Sequence, residues 1–107
     1  MSHFRYYYGK PIYKEVRISG ESHYTLKLKY MGQITVAGYF DSTKNLLYLG
    51  YSRCHSEDNF SKRLGKQLAE KRAMQLTTYV PCFPGQVAPA IKKYYQLLEE
   101  KIINNMR

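Results

Sequence analysis

Tryptophan is absent from this 107-residue chain, cysteine occurs twice, and eight carboxylates stand against seventeen lysines and arginines. Long apolar runs are missing too. Nothing approaches the roughly 20 apolar residues of a membrane helix, and the opening "MSHFRYYYGK" lacks the apolar segment of a secretory signal. The expected setting is therefore soluble and cytoplasmic, with Cys54 and Cys82 as free thiols. There is no Gly-rich phosphate loop and no distinguishable Ser/His/Asp set, and carboxylates are too sparse for an acid/base pair or a metal site. Cys54, His55, Cys82 and His23 are the available soft ligands, but they lack paired Cys-x-x-Cys spacing, so no zinc is expected. Cys54 and His55 are adjacent and would point to opposite faces of a strand, which removes a thiol–imidazole nucleophile. The expectation is a protein that is not an enzyme and carries no cofactor or metal.

What is present suits one domain spanning residues 1–107, with residues 1–10 as a flexible N-terminal segment. Hydrophobic residues make up 44% and charged residues 23%, the composition of a chain that folds. The net charge is +9 and has no tail to sit in. Cations outnumber carboxylates seven to three over residues 1–52, six to three over 53–75 and four to two over 76–107. A polyanion is the natural partner, and the fold must assemble the surface that meets it.

Four strands are expected, three from period-2 patterns and the last from an apolar run. Ile12, Val16 and Ile18 alternate with Tyr13, Glu15 and Arg17; Tyr24, Leu26, Leu28 and Tyr30 alternate with Thr25, Lys27 and Lys29. A tight turn is expected at Met31–Gly32, then a third strand through Ile34, Val36 and Phe40, the turn "DSTKN", and a fourth strand "LLYLGY". Loops this short allow only an antiparallel meander. A first helix is expected after an N-cap at Ser56, with Glu57 and Asp58 in its first turn. Phe60, Leu64, Leu68, Ala69 and Leu76 share one half of its wheel, turned inward, with Lys62, Arg63 and Lys66 opposite and Glu70 among them. "PCFPG" ends it, and Pro89 opens a second helix in which Ile91, Tyr94, Leu98 and Ile102 recur. The expected fold is α+β: a four-stranded antiparallel meander sheet covered on one face by two C-terminal helices, ββββαα.

Lys62, Arg63 and Lys66 lie within one helical turn beside a helix N-terminus, an arrangement suited to phosphates. Gly65, in mid-helix, costs about 1 kcal/mol against alanine and so implies a close backbone approach. Tyr13, Tyr39 and Tyr51 are expected on the sheet face away from the helices, near Arg17, Lys27 and Lys29. Such interleaving stacks bases and holds a phosphate backbone, and it serves a protein interface equally well.

Two resemblances bear on these residues. "SKRLGKQLAEKRAMQL" resembles the second helix of double-stranded-RNA-binding domains, and "GESHY" resembles their Gly-x-x-His loop. That likeness covers about half of the chain. It implies Lys62, Arg63 and Lys66 on phosphates across a major groove, with His23 near a minor groove. The family opens with a helix and uses three strands, unlike this chain. Denser is the likeness to small phage and prophage proteins carrying Cys-x3-Asp-x-Phe-x2-Arg-x-Gly-x2-Leu-Ala-x2-Arg-Ala, here Cys54, Asp58, Phe60, Arg63, Gly65, Leu68, Ala69, Arg72 and Ala73. It implies a mobile-element origin, in company with nucleic-acid binders and with inhibitors of host defence such as anti-CRISPR proteins.

The function expected is nucleic-acid binding, to duplex or single strands, through Lys62, Arg63, Lys66, Arg17, Lys27, Lys29, His23 and Tyr39. The alternative is an inhibitor of host defence that binds a host protein or nucleoprotein complex. No membrane partner is expected.

Overall fold

A computed structural model describes residues 4–20, 24–55 and 61–104. The elements in chain order are β1 (Phe4–Tyr8), β2 (Ile12–Ser19), β3 (Tyr24–Asp41), β4 (Leu46–Cys54), α1 (Lys62–Ala73), β5 (Tyr79–Pro81) and α2 (Val87–Asn104), with a 3-10 turn at Pro84–Gln86 before α2. The class is α+β, an antiparallel sheet with two helices packed on it.

Strand β3 organises everything. Its second half pairs with β1 on one edge and β4 on the other, and β5 adds to the far side of β4. The first half of β3 pairs with β2 on the edge that β1 uses further along. The segments 4–8 and 12–19 thus follow one another along a single edge of β3. They are separated at Gly9, whose N–H donates to the Ile34 carbonyl at 2.9 Å.

Met31–Gly32 is not a turn. Ile12 opposes Gly32 and Tyr13 opposes Tyr30, so the extra residue is absorbed as a bulge and the strand continues. Gly32 has φ +131°, which a residue with a side chain rarely adopts. The real reversal is the β3–β4 turn, where Asp41 Oδ1 accepts from Thr43 N at 3.0 Å and Asn45 takes a positive φ.

Alternation along the strands assigns each helix to a face. Gly38 lies beneath α2, since a Cβ there would stand 2.7 Å from Ile91 Cδ1. Gly50 lies beneath α1, since a Cβ there would stand 2.2 Å from the Ala73 nitrogen and 2.4 Å from the Ala69 oxygen. Gly38 pairs with Leu49, whereas Gly50 pairs with Ala37, so the two glycines face opposite ways. The helices therefore divide between the two faces of the sheet. The expectation of one covered face missed this because β5 and the 3-10 turn carry the chain across the sheet edge before α2 begins.

The main core lies on the α2 side. Ile34, Val36, Leu47 and Leu49 meet Val87, Ile91, Tyr95, Leu98 and Ile102, a stripe at helical spacing. Each aliphatic side chain fully buried there contributes about 1.5–3 kcal/mol. The α1 side is thinner. Gly65, Ala69 and Ala73 recur every fourth residue and bring the helix backbone down onto Thr35, Ser52 and Gly50.

Leu64 and Leu68 do not turn inward. They are 59% and 47% exposed, because small residues rather than leucines make the closest helix–sheet contact. The described helix is capped by Ser61, whose hydroxyl accepts from the Leu64 N–H at 3.3 Å, and its first turn holds no acid. Ser56, Glu57, Asp58 and Phe60 lie outside the described residues. Leu76 follows the helix, at φ 58°, rather than belonging to it.

Beyond Ile12 and Met31, both buried, the β2–β3 hairpin leaves the body as a two-stranded ribbon. Leu26 and Leu28, expected to face a core, are 54% and 60% exposed. The molecule measures 64 × 25 × 21 Å, with a radius of gyration of 16.8 Å, against about 13 Å for a compact chain of this length.

Candidate nucleic-acid interface

The even positions of β1, Phe4, Tyr6 and Tyr8, face the α1 side of the sheet. Lys62 and Lys66, one turn apart on α1, lie directly above two of them. Lys62 Nζ is 4.4 Å from the centre of the Tyr8 ring and Lys66 Nζ is 4.7 Å from that of Tyr6. Such contacts are worth about 0.5–1 kcal/mol at exposed sites and hold a mobile ammonium group in place. A lysine has three N–H donors, so a ring beneath leaves others for a phosphate oxygen. The Tyr6 hydroxyl donates to Glu70 Oε1. Burial, then this hydrogen bond, pushes the Tyr6 hydroxyl well above its ordinary value, so it stays a neutral donor. Arg63 is exposed on the next face of the helix.

From Tyr8 a continuous track of six rings runs along β1 and then across the sheet. Tyr8, Tyr6 and Phe4 follow one another at 6.1 and 6.2 Å, and Phe4 meets Tyr39 at 5.7 Å. Tyr39 meets Tyr48 at 6.3 Å, and Tyr48 meets Tyr79 at 5.9 Å. Phe4, Tyr39, Tyr48 and Tyr79 are cross-strand neighbours one step past the Ala37–Gly50 pair that carries α1. Tyr39 thus belongs to a site with Lys62 and Lys66, although on a different face from the one expected.

The ribbon holds a second basic cluster. Lys14 opposes Lys29, Val16 opposes Lys27 and Ile18 opposes Thr25, so these six residues share one side. Glu15 opposes Leu28 and Arg17 opposes Leu26, which puts them on the other side. Arg17 is therefore not grouped with Lys27 and Lys29; Lys14 is. Opposed residues share a side and successive pairs alternate, so the register decides which cations group, and neither strand alone contains it. Tyr13 and Tyr51 are also separated from Tyr39: Tyr13 stacks edgewise on Tyr30 in the ribbon at 5.8 Å, and Tyr51 meets Tyr94 of α2 at 6.3 Å. His23 lies outside the described residues.

Two further arginines serve the fold. Arg72 donates to the Tyr51 carbonyl at 2.7 Å, and Arg53 Nε donates to the Met31 carbonyl at 3.0 Å across the bulge. Neither Cys54 nor Cys82 is in a disulfide. They sit at opposite ends of β4, since Cys82 bonds Asn45 and Cys54 ends the strand, about 30 Å apart at 3.3 Å per residue. Among the described residues no three His, Cys, Asp or Glu side chains gather where they could hold a metal ion, and no helix is long and apolar enough to cross a membrane. No family model, curated protein or solved structure matches this chain.

Proposed function

We propose that this is a cytoplasmic nucleic-acid-binding protein of mobile-element type, a binder and not an enzyme. It holds phosphates with Lys62 and Lys66 on α1 and with the lysines of the ribbon. The observation that carries the reading is the pair of ammonium groups seated over Tyr8 and Tyr6 at the end of a six-ring aromatic track. Fixed cations beside aromatic faces are the two components that nucleic-acid surfaces combine, and a net charge of +9 supplies long-range attraction. Retention of labelled nucleic acid on filters is expected at low salt and should fall steeply as salt rises. The double variant Lys62→Glu, Lys66→Glu should weaken it by more than about tenfold, and no retention at low salt by the unaltered protein would sink the reading.

A second reading, an inhibitor of host defence in the manner of anti-CRISPR proteins, is favoured by a different observation. Leu64 and Leu68 stand outward on α1 beside a cavity of about 180 Å³ that also touches Cys54, and outward apolar side chains over a hollow suit a protein partner. It predicts one host protein that co-purifies after nuclease treatment and is lost in Leu64→Glu, Leu68→Glu.

A further inference from the structure

Among the described residues, the ribbon carries three lysines on one side and no carboxylate on that side. Lys14 and Lys29 face each other across the strands, and Lys27 follows two residues from Lys29 on the same side. Like charges directly opposed on a hairpin destabilise it. Among the described residues no carboxylate shares that side, because the register turns Glu15 to the other. A two-stranded ribbon without a third layer is marginal by itself, so concentrating repulsion there is reasonable only if an anion relieves it.

We propose that the ribbon enters the major groove of B-form DNA with the Lys14, Lys27, Lys29 side leading. The inference rests on the nucleic-acid reading above and names the substrate class. Four observations support it. The hairpin projects beyond Ile12 and Met31, free of the body that would otherwise collide with a duplex. Two strands about 4.8 Å apart, with their side chains, suit a groove about 12 Å wide. The leading side also carries Val16, Ile18 and Thr25, apolar or methyl-bearing groups suited to thymine methyls, between cations that reach phosphates on either wall. Finally, Glu15 and Arg17 offset each other on the trailing side whereas the leading side carries three lysines, and this charge difference fixes the orientation. An A-form RNA duplex has a deep, narrow major groove that excludes such a ribbon, so the choice falls on DNA.

The test uses the full chain, with fluorescence anisotropy on a labelled DNA duplex of about two helical turns, the RNA duplex of the same sequence, and each single strand. The DNA duplex is expected to bind at least about tenfold more tightly than the others. Replacing Lys14, Lys27 and Lys29 with alanine should lower the slope of log K against log salt by about 2.7, at 0.9 per phosphate contact. Guanine N7 should be protected from methylation by dimethyl sulfate over a few base pairs. Equal or tighter binding of RNA or single strands overturns the inference, as does DNA binding that ignores the ribbon lysines or leaves N7 reactive. In those cases residual binding lost in Lys62→Glu, Lys66→Glu leaves the broader reading standing, so the two failures are separable. Circular dichroism of the alanine variant, expected to match the unaltered protein, excludes unfolding as the cause.

Discussion

The two halves of β3 are one continuous strand in two different environments. From Ile34 to Ala37 every residue is fully buried between α1 and α2, whereas Leu26 and Leu28 are more than half exposed on the ribbon. Alternation is as clean in the exposed half as in the buried one. The difference is made by the second edge: β4 pairs with residues 33–41 and stops there, and the helices can pack only where the sheet is broad enough to support them. An apolar residue in a strand is thus an offer of burial, accepted only where other elements arrive.

The contrast can be broken at the body first. Gly50→Val would drive a side chain into the backbone of α1 at Ala69 and Ala73, atoms that cannot yield as a flexible side chain would. The expected outcome is a loss of about 3 kcal/mol or more, or no folded protein, read from urea denaturation. Next comes a matched pair along β3 itself. Ile34→Ala, in the buried half, should cost about 2–5 kcal/mol, while Leu28→Ala, in the ribbon, should stay within about 0.5 kcal/mol. Equal costs for the two would mean that the ribbon is covered in solution.

The smallest effect sharpens the boundary between the halves. Tyr95 of α2 fills the space above Gly9, where β1 gives way to β2, packs on Tyr7 at 4.6 Å and donates to Glu99 Oε2 at 3.1 Å. Burial, then that hydrogen bond, pushes its hydroxyl from 10.0 up to about 12. A raised folded value means that the native state keeps its proton while the unfolded chain ionises. The contribution is therefore full below pH 10 and is lost as pH rises from 10 to about 12. Urea midpoints across that window should fall less in Tyr95→Phe than in the unaltered protein.

Much of this was legible in the sequence, and the misses have physical causes. Period-2 patterns place β2 and both halves of β3, the apolar run "LLYLGY" places β4, and the spacing of Ile91, Tyr94, Leu98 and Ile102 places the inward side of α2, where Tyr95 is buried and Tyr94 only partly so. Met31–Gly32 suggested a turn because glycine permits positive φ, yet a bulge needs the same freedom, and only the partner strand distinguishes them. β1 has three consecutive tyrosines, which are amphipathic and show no period, and β5 is three residues long and ends in proline. On α1 the large leucines outweighed Gly65, Ala69 and Ala73 in any hydrophobicity pattern. The small residues decided the docking, because contact distance is set by what is missing from the surface. Of the cations that helical spacing groups on α1, Lys62 and Lys66 lie over the β1 rings and Arg63 is exposed on the next face. Lys14 interrupts the apolar positions Ile12, Val16 and Ile18 and so does not stand out as a cation, and Arg17 is misplaced because cross-strand register is a pairing property that one strand does not contain.

Because β3 passes without interruption from the ribbon into the centre of the sheet, the two halves share one backbone instead of meeting at a loop. Arg53 of β4 donates to the Met31 carbonyl where the register shifts, so the join between ribbon and body is tied by a neighbouring strand. The strand that carries Lys27 and Lys29 is therefore the same one on whose Thr35 the Gly65 backbone of α1 rests.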